Sequence, residues 1–364
     1  MRKLATVRKI DALEPIDGAD LIETATIGGW KVVVKKGELS VGQLAVYFEI
    51  DSFIPTELAP FLTSENKKPR EYNGIKGERL RTVRLRKQIS QGLLLPLTVI
   101  YDAVKKSLDD LNIKLETIPI IYYEEDMDVS DLLNIHKYEP PMSTQLAGMA
   151  KGNFPSFIPK TDEERVQNLS RSLYKWASSD DYEVEISEKI DGSSMTVYAK
   201  DSTDEQGAYL QKFGVCSRNL ELKETEGNSF WAMANSLDLR NKLAKLGRNI
   251  AIQGELFGTG INGNHYRSTE HRFWVFSIYD INKGEYLNSN DRIELCKELE
   301  LEHVPVLGYM NLRDQTIDGL LAMAEGKSVV NPIVEREGVV LKCVSNPQIH
   351  FKCISNKFLL KGGD

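Results

Sequence analysis

The stretch Ser187-Glu188-Lys189-Ile190-Asp191-Gly192-Ser193-Ser194 sets a lysine after an alternating strand and directly before Asp-Gly, a turn pair. That places an amine at a strand end, where a site on a sheet is commonly built. Alone, a string of this kind is a surface lysine before a turn. Further along come Ser217-Arg218-Asn219, Gly254-Glu255-Leu256-Phe257-Gly258, Phe273-Trp274-Val275-Phe276, Glu337-Gly338-Val339-Val340-Leu341-Lys342 and Phe351-Lys352-Cys353-Ile354-Ser355-Asn356-Lys357. These offer carboxylates, cations and aromatics, each at home on an ordinary strand surface too. The five histidines show no metal-ligand spacing, and the four cysteines (Cys216, Cys296, Cys343, Cys353) never form C-x-x-C. Zinc clusters and a disulfide framework are excluded as readings, and a reducing cytoplasm is expected.

The elements that must position these residues fall into two blocks. Up to about residue 100 the chain reads as short strands with turns, among them 21–27 and 30–35 flanking Gly28-Gly29, then 44–50 and 80–85. That pattern predicts a small barrel or sandwich. After 160 the pattern is mixed. Thr161-Asp162-Glu163-Glu164 has the form of a capping box opening a helix through Val166, Leu169, Leu173 and Trp176, with Arg165 in its first turn. Strands are expected at 182–189, 212–217, 249–257, 272–281, 337–344 and 350–354, and helices at 228–246, 289–301 and 316–325. Alternation puts Trp274 and Phe276 on one strand face. Between the blocks, 101–160 reads as an acidic insertion and a linker, the latter carrying Pro140-Pro141.

With 364 residues, 41% hydrophobic and 27% charged, the composition is that of a folded soluble chain of two or three domains. No apolar run reaches membrane-span length, and no apolar leader follows Met1, so neither membrane attachment nor secretion is expected. The formal charge of −7 argues on its face against a nucleic-acid partner. It hides a segregation: residues 60–90 hold nine basic and three acidic side chains, residues 101–132 the reverse. Arg79, Arg81, Arg84, Arg86 and Lys87 would line a barrel surface suited to tracking phosphates.

In their order along 161–357, the chemical strings resemble the motifs of the covalent nucleotidyltransferases, which comprise DNA ligases, RNA ligases and capping enzymes. Three features resemble the RNA ligases in particular. Seven residues follow the last motif, too few for the C-terminal OB domain of DNA ligases and capping enzymes. Residues 16–22 and 41–49 look like an OB fold of the tRNA-binding type, placed first. Gly254-Glu255-Leu256-Phe257-Gly258-Thr259-Gly260-Ile261 followed by Phe273-Trp274-Val275-Phe276 is closer to nick-sealing RNA ligases. The implied fold is α+β and multidomain. An N-terminal β-barrel of OB type over 1–100 precedes a nucleotidyltransferase domain (adenylyltransferase, ATP-grasp-like ligase) of antiparallel sheets and helices over 161–364.

The resemblance implies an ATP-dependent RNA ligase, a monomer, that seals 3′-OH/5′-phosphate ends, as in nicked duplexes, through lysyl-AMP. Lys189 would be the nucleophile, although a free lysine is neutral in only about one molecule in 2,500 at pH 7. Asp191, Glu255 and Glu337 would hold Mg²⁺ or Mn²⁺ through its waters. Phe276 would stack on adenine, with Glu188 at the base edge and Ile190 beside it. Arg218 would meet ribose or the RNA end, Lys342 and Lys352 the α-phosphate, Arg165 the triphosphate or a 5′-phosphate, and Ser194 the 5′-phosphate. Where some relatives carry a second lysine, this chain has Ile354; Lys357 could substitute, or fewer contacts suffice. A polynucleotide ligase acting on DNA or mixed strands, and a non-catalytic OB-type RNA-binding protein, are the alternative readings.

Overall fold

The computed structural model describes residues 3–110, 123–139, 148–203 and 206–361. The chain divides into two compact units, Met1–Pro141 and Met142–Lys361. In the first, Leu44–Phe48 lies between Ala5–Lys9 and Leu93–Pro96, all antiparallel. Ala12–Pro15, Ile22–Ile27 and Trp30–Lys35 form a meander, whose last two strands are joined through Gly28-Gly29 as their alternation predicts. Ser52–Pro55, Ile75–Arg79 and Arg70–Tyr72 form a further sheet. The inward residues, including Val7, Val46, Phe48, Ile54 and Leu95, make one core.

The described parts of the stretch expected to be insertion and linker pack into the two units. Thr98–Asp110 is a helix whose Ile100 is fully buried, and Val129, Leu133 and Ile135 enter the same core. The Ser130 hydroxyl accepts from the Leu4 and Ala5 amides, closing the end of the first strand. Further on, Ala150–Asn153 pairs with Leu220–Leu222, and Ile158 is buried beside Tyr198 and Ala251, so this part belongs to the second unit. Residues 111–122 and 140–147 of the expected insertion and linker lie outside the described residues.

The second unit holds two sheets. The seven-stranded one runs in the order Ala150–Asn153, Leu220–Leu222, Tyr209–Cys216, Ser193–Thr203, Ile250–Phe257, Arg272–Asp280, Glu285–Tyr286. The five-stranded one runs Glu164–Arg165, His350–Ile354, Gly338–Cys343, Glu183–Lys189, Val306–Asn311. Met195, Val197, Ile252, Phe273 and Val275 fill one core with the helices Ser229–Ser236 and Leu239–Leu246. Val184, Ile186, Val339, Leu341 and Phe351 fill another.

Two helix expectations change. No capping box forms at 161–164: Glu164–Arg165 is a short strand parallel to His350–Ile354, followed by a 3-10 turn and the helix Ser170–Trp176. Pairing with Lys352 satisfies the backbone there, and it overrides a local cap signal. The expected helix 228–246 is two, broken at Asp238, which adopts φ +52.

Candidate active site

The chain changes sheets at the lysine. Glu183–Lys189 belongs to the five-stranded sheet and Ser193–Thr203 to the seven-stranded one, so Ile190-Asp191-Gly192 is a crossover. Pairing then orders one face of the smaller sheet. Lys189 sits opposite Gly338, Ser187 opposite Val340 and Glu185 opposite Lys342. Val340 in turn faces Lys352, which pairs with Arg165. Since side chains alternate, Lys189, Lys342, Lys352 and Arg165 share that face, while Val184, Ile186, Val339 and Leu341 share the other.

The Lys189 amine donates to Glu337 Oε1 at 2.8 Å. Burial alone would lower its pKa, but the Glu337 and Glu255 carboxylates hold it above the ordinary lysine range. The acids carry the complementary strain. Burial, with Glu337 and Asp191 nearby, pushes Glu255 up to about 8 against the pull of Lys189. Burial and the Glu337 charge raise Asp191 to about 6. Asp191 is held by its neighbours: its amide donates to the Tyr266 hydroxyl at 2.8 Å, and its Oδ1 accepts from Asn262 at 2.6 Å.

A divalent cation fits this donor set. Every donor is a carboxylate oxygen, the negative charge exceeds what one ammonium balances, and Glu337 Oε2 is buried without a hydrogen-bond partner. Among the described residues no three acidic, histidine or cysteine side chains converge as direct ligands.

The aromatic strand is less regular than alternation implies. Ser277 pairs with Gln253 and Val275 with Gly254, which leaves Phe276 as the extra residue of a β-bulge. The bulge turns Phe276 and Ser277 together toward the smaller sheet, where Lys342 donates to the Phe276 carbonyl at 2.6 Å and to the Ser277 hydroxyl at 2.7 Å. Lys342 Nζ also lies 5.6 Å from the Phe276 ring centroid. Burial and the Arg292 charge lower Lys342 to about 8. Trp274 is buried edge-on against Phe257, and its indole N–H donates to Glu302 at 2.7 Å, whereas Phe276 is only half-buried.

Several residues given ligand roles by the sequence already have protein partners in this geometry. Lys342, expected at the α-phosphate, has its amine bound to the bulge that carries Phe276. Glu188, expected at a base edge, accepts from the Ser328 hydroxyl at 2.5 Å and the Val329 amide at 2.8 Å and is 1% exposed. Its register partner is Val339, on the core side of the sheet. The Ile190 side chain packs into a cluster with Phe257, Tyr266 and Trp274, leaving its backbone for any ligand. Lys357 pairs with Glu325 at 3.6 Å instead of turning toward Lys352.

The remaining cations divide. Arg165 is buried at the sheet edge beside Lys352, ending a short strand directly before the 3-10 turn Val166–Leu169. Arg218 is exposed and pairs with Asp162 at 2.6 Å, while half-buried Ser194 lies opposite Glu255 in register. Glu163, assigned by its sequence to a helix cap, instead joins the cationic face, a role its motif did not signal. Burial would raise its carboxyl, but Lys342, Lys352, His350 and Lys189 together hold it below its usual value. Deeper down, Arg292 donates to both Glu185 oxygens and to His303, a buried network no motif revealed.

In the first unit Arg79 is not a surface cation. It pairs with Asp51 at 2.5 Å and lies 5.3 Å from the Tyr138 ring centroid. Arg81, Arg84, Arg86 and Lys87 are exposed. The last three belong to a hairpin of Thr82–Leu85 and Gln88–Gln91 with Arg86-Lys87 at its tip.

A nucleophile-type lysine at a sheet crossover, ringed by acids and followed by a cationic face, defines a nucleotidyltransferase with an appended barrel. Comparison with known proteins agrees. A family model described as an OB-fold domain matches residues 4–97, and one described as RNA ligase matches residues 182–361. A Naegleria gruberi RNA ligase variant solved with AMP and Mn is 40% identical, with 99% of each chain covered and a TM-score of 0.84. A variant solved with ATP and Mn has the same identity, coverage and TM-score. The same ligase solved with PPi is 40% identical, with 100% of each chain covered and a TM-score of 0.84. A search of curated protein sequences gave no match. The chain belongs to the RNA ligase family, with an N-terminal OB-fold domain and a C-terminal ligase domain. Among the described residues no helix is long and apolar enough to cross a membrane.

Proposed function

We propose that this RNA ligase uses ATP and Mn²⁺ or Mg²⁺ to join 3′-OH and 5′-phosphate RNA ends, at nicks in duplexes, through a lysyl-AMP intermediate. The observation that carries the reading is the Lys189 amine at the crossover between sheets, 2.8 Å from Glu337. In the first step Lys189 Nζ, once deprotonated, attacks the α-phosphorus of ATP; a P–N bond forms and pyrophosphate leaves. The AMP then passes to a 5′-phosphate oxygen of RNA, which frees the lysine. Finally the 3′-OH attacks that phosphate and AMP departs.

The ion-paired ammonium is the resting form, and it has no lone pair. A hydrated divalent cation would supply charge neutralisation at the α-phosphate and at the carboxylates, so that the amine loses the partners that keep it protonated. Asp191, Glu255 and Glu337 would hold it. Phe276 offers its ring to adenine, fixed from behind by Lys342, and the Ile190 backbone lies alongside. Lys352, with Arg165 next to it, binds the α-phosphate region, and Arg218 and Ser194 take the RNA end. The exposed cations Arg81, Arg84, Arg86 and Lys87 track the RNA backbone, setting affinity and not sequence choice. We take the chain to act as a monomer in the cytoplasm; its four cysteines are all buried and unpaired, as a reducing compartment favours.

The test uses α-labelled ATP with Mn²⁺ and denatured protein as the readout. Wild type should carry label and Lys189→Ala should carry none. Absence of label in the first, or its persistence in the second, overturns the mechanism.

A further inference from the structure

The β-bulge leaves Phe276 without a place in the strand ladder, so contacts outside that ladder must fix its backbone. Two clamps do so. The first is the segment 302–304, which runs parallel to Val275, the residue before the bulge. The Val275 amide donates to the Glu302 carbonyl at 2.9 Å, and the Val304 amide donates to the Val275 carbonyl at 3.0 Å. The second clamp is the Lys342 amine, which holds the Phe276 carbonyl at 2.6 Å and the Ser277 hydroxyl at 2.7 Å.

A buried network joins the two clamps. Arg292, on the helix Ser289–Glu298, and Glu185 are 2% and 1% exposed. Arg292 donates to Glu185 Oε1 at 2.5 Å and to Oε2 at 2.8 Å, while its Nε donates to His303 Nε2 at 2.7 Å. His303 Nδ1 lies 2.6 Å from the Val304 carbonyl, which can only accept, so Nδ1 carries the proton and Nε2 accepts. Glu185 is in turn the register partner of Lys342, on the same sheet face. The contacts close a ring that runs from Phe276 through Lys342, Glu185, Arg292, His303 and Val275 back to Phe276. A buried ion pair adds little stability over apolar residues of similar volume, so this pair calls for a role besides holding the fold. We propose that Arg292 is a positioning residue for ATP: through Glu185 and Lys342 on one arm and His303 on the other, it holds the bulge so that the Phe276 ring meets adenine. This rests on the reading of Phe276 given above, and adds what sets the place of that ring.

Adenine is remote from the reacting phosphorus, so stacking holds ATP equally before and during attack by Lys189. Loosening the stack should raise KM for ATP and leave the limiting rate of adenylylation as it is. The test replaces both members of the pair, because a lone buried charge would itself be strongly destabilising. Labelling of Lys189 is followed against ATP concentration in the full-length wild type, in Glu185→Leu with Arg292→Leu, in Phe276→Ala, and in the triple variant. The leucine pair should fold with a melting temperature near that of wild type. Its KM for ATP should rise by about fivefold or more, as loss of a base stack would cause, at an unchanged limiting rate. Phe276→Ala should raise KM by itself. Adding the leucine pair to it should raise KM no further, since both changes remove the same contact.

An unchanged KM in the folded leucine pair overturns the proposal. So does a rise in KM that persists in full on the Phe276→Ala background, which would place the effect elsewhere. Should the leucine pair fail to fold, Ser277→Ala decides in its stead, because it removes one bond of the ring and no buried charge. It should raise KM for ATP, again with no effect on the Phe276→Ala background, and an unchanged KM there overturns the inference. If Phe276→Ala alone leaves KM as in wild type, the reading of Phe276 as the support of adenine fails, and this inference with it.

Discussion

Each acid of the site stands beside a glycine with no room for a side chain. A Cβ on Gly192 would lie 2.5 Å from the Leu256 carbonyl oxygen, on Gly254 2.4 Å from that of Trp274, and on Gly338 2.2 Å from that of Cys353. The glycines let a neighbouring strand approach closely at the point where a carboxylate must turn inward. Gly254 matters most, because the carbonyl it admits belongs to the strand that bulges at Phe276. Replacing Gly254 by Ala should cost about 1–3 kcal/mol through overpacking. It should also displace Phe276 and Ser277 from Lys342. The expected outcome is a lower melting temperature together with a raised KM for ATP; a normal KM in a folded variant would separate the bulge from nucleotide binding. At this scale the candidate site was legible. Lys189, Glu255 and Glu337 announce themselves by type and by the order of their motifs. Glu163 and the protein partners of Lys342 and Glu188 did not, because each depends on register between strands far apart in sequence.

The basic hairpin shows how an element can carry a functional signal that its residues, taken one by one, do not. Leu85 pairs with Gln88, so Arg86-Lys87 is a two-residue turn, and both residues have positive φ, 47 and 70. Such a turn favours Asn-Gly; two long side chains there are strained. Val83 and Leu85 are exposed as well, at 43% each, so the hairpin buries little to offset that strain. Strain held at an exposed cationic tip is what binding to phosphates would select. Changing Arg86→Asn together with Lys87→Gly should therefore raise stability, by up to about 1–2 kcal/mol from relieving the left-handed conformation, while weakening RNA binding. The slope of log K against log salt should drop by roughly 0.7–0.9 for each phosphate that the tip no longer neutralises. Unchanged RNA affinity and slope would take the hairpin out of the RNA-binding surface. Other elements were misread for a common reason: local signals gave way to long-range pairing. The cap at 161–164 yielded to the strand pairing of Arg165 with Lys352, and Ser193–Thr203 was hidden because Asp191-Gly192 reads as a turn when it is a crossover.

At the scale of the whole molecule the net charge of −7 says little, since the basic stretch at 60–90 and the acidic one at 101–132 cancel. The composition did point to more than one domain, and each unit has its own hydrophobic core: Val7, Val46 and Phe48 in the first, Met195, Val197 and Ile252 in the second. Two cores need not melt together. All the residues assigned to ATP lie in the second unit, so nucleotide should stabilise that unit directly and the first one only through coupling. In Lys189→Ala, where no covalent adduct forms, ATP with Mn²⁺ at a hundred times Kd should add about 2.7 kcal/mol to the unit that binds it. For a unit of this size that moves its transition up by about 5–10 °C. Calorimetry should show two transitions, only one of which shifts with ATP and Mn²⁺, while the other shifts with neither. If both move by the same amount, binding is transmitted to the OB-fold domain, and the contribution of that domain to nucleotide chemistry becomes energetic as well as a matter of holding RNA.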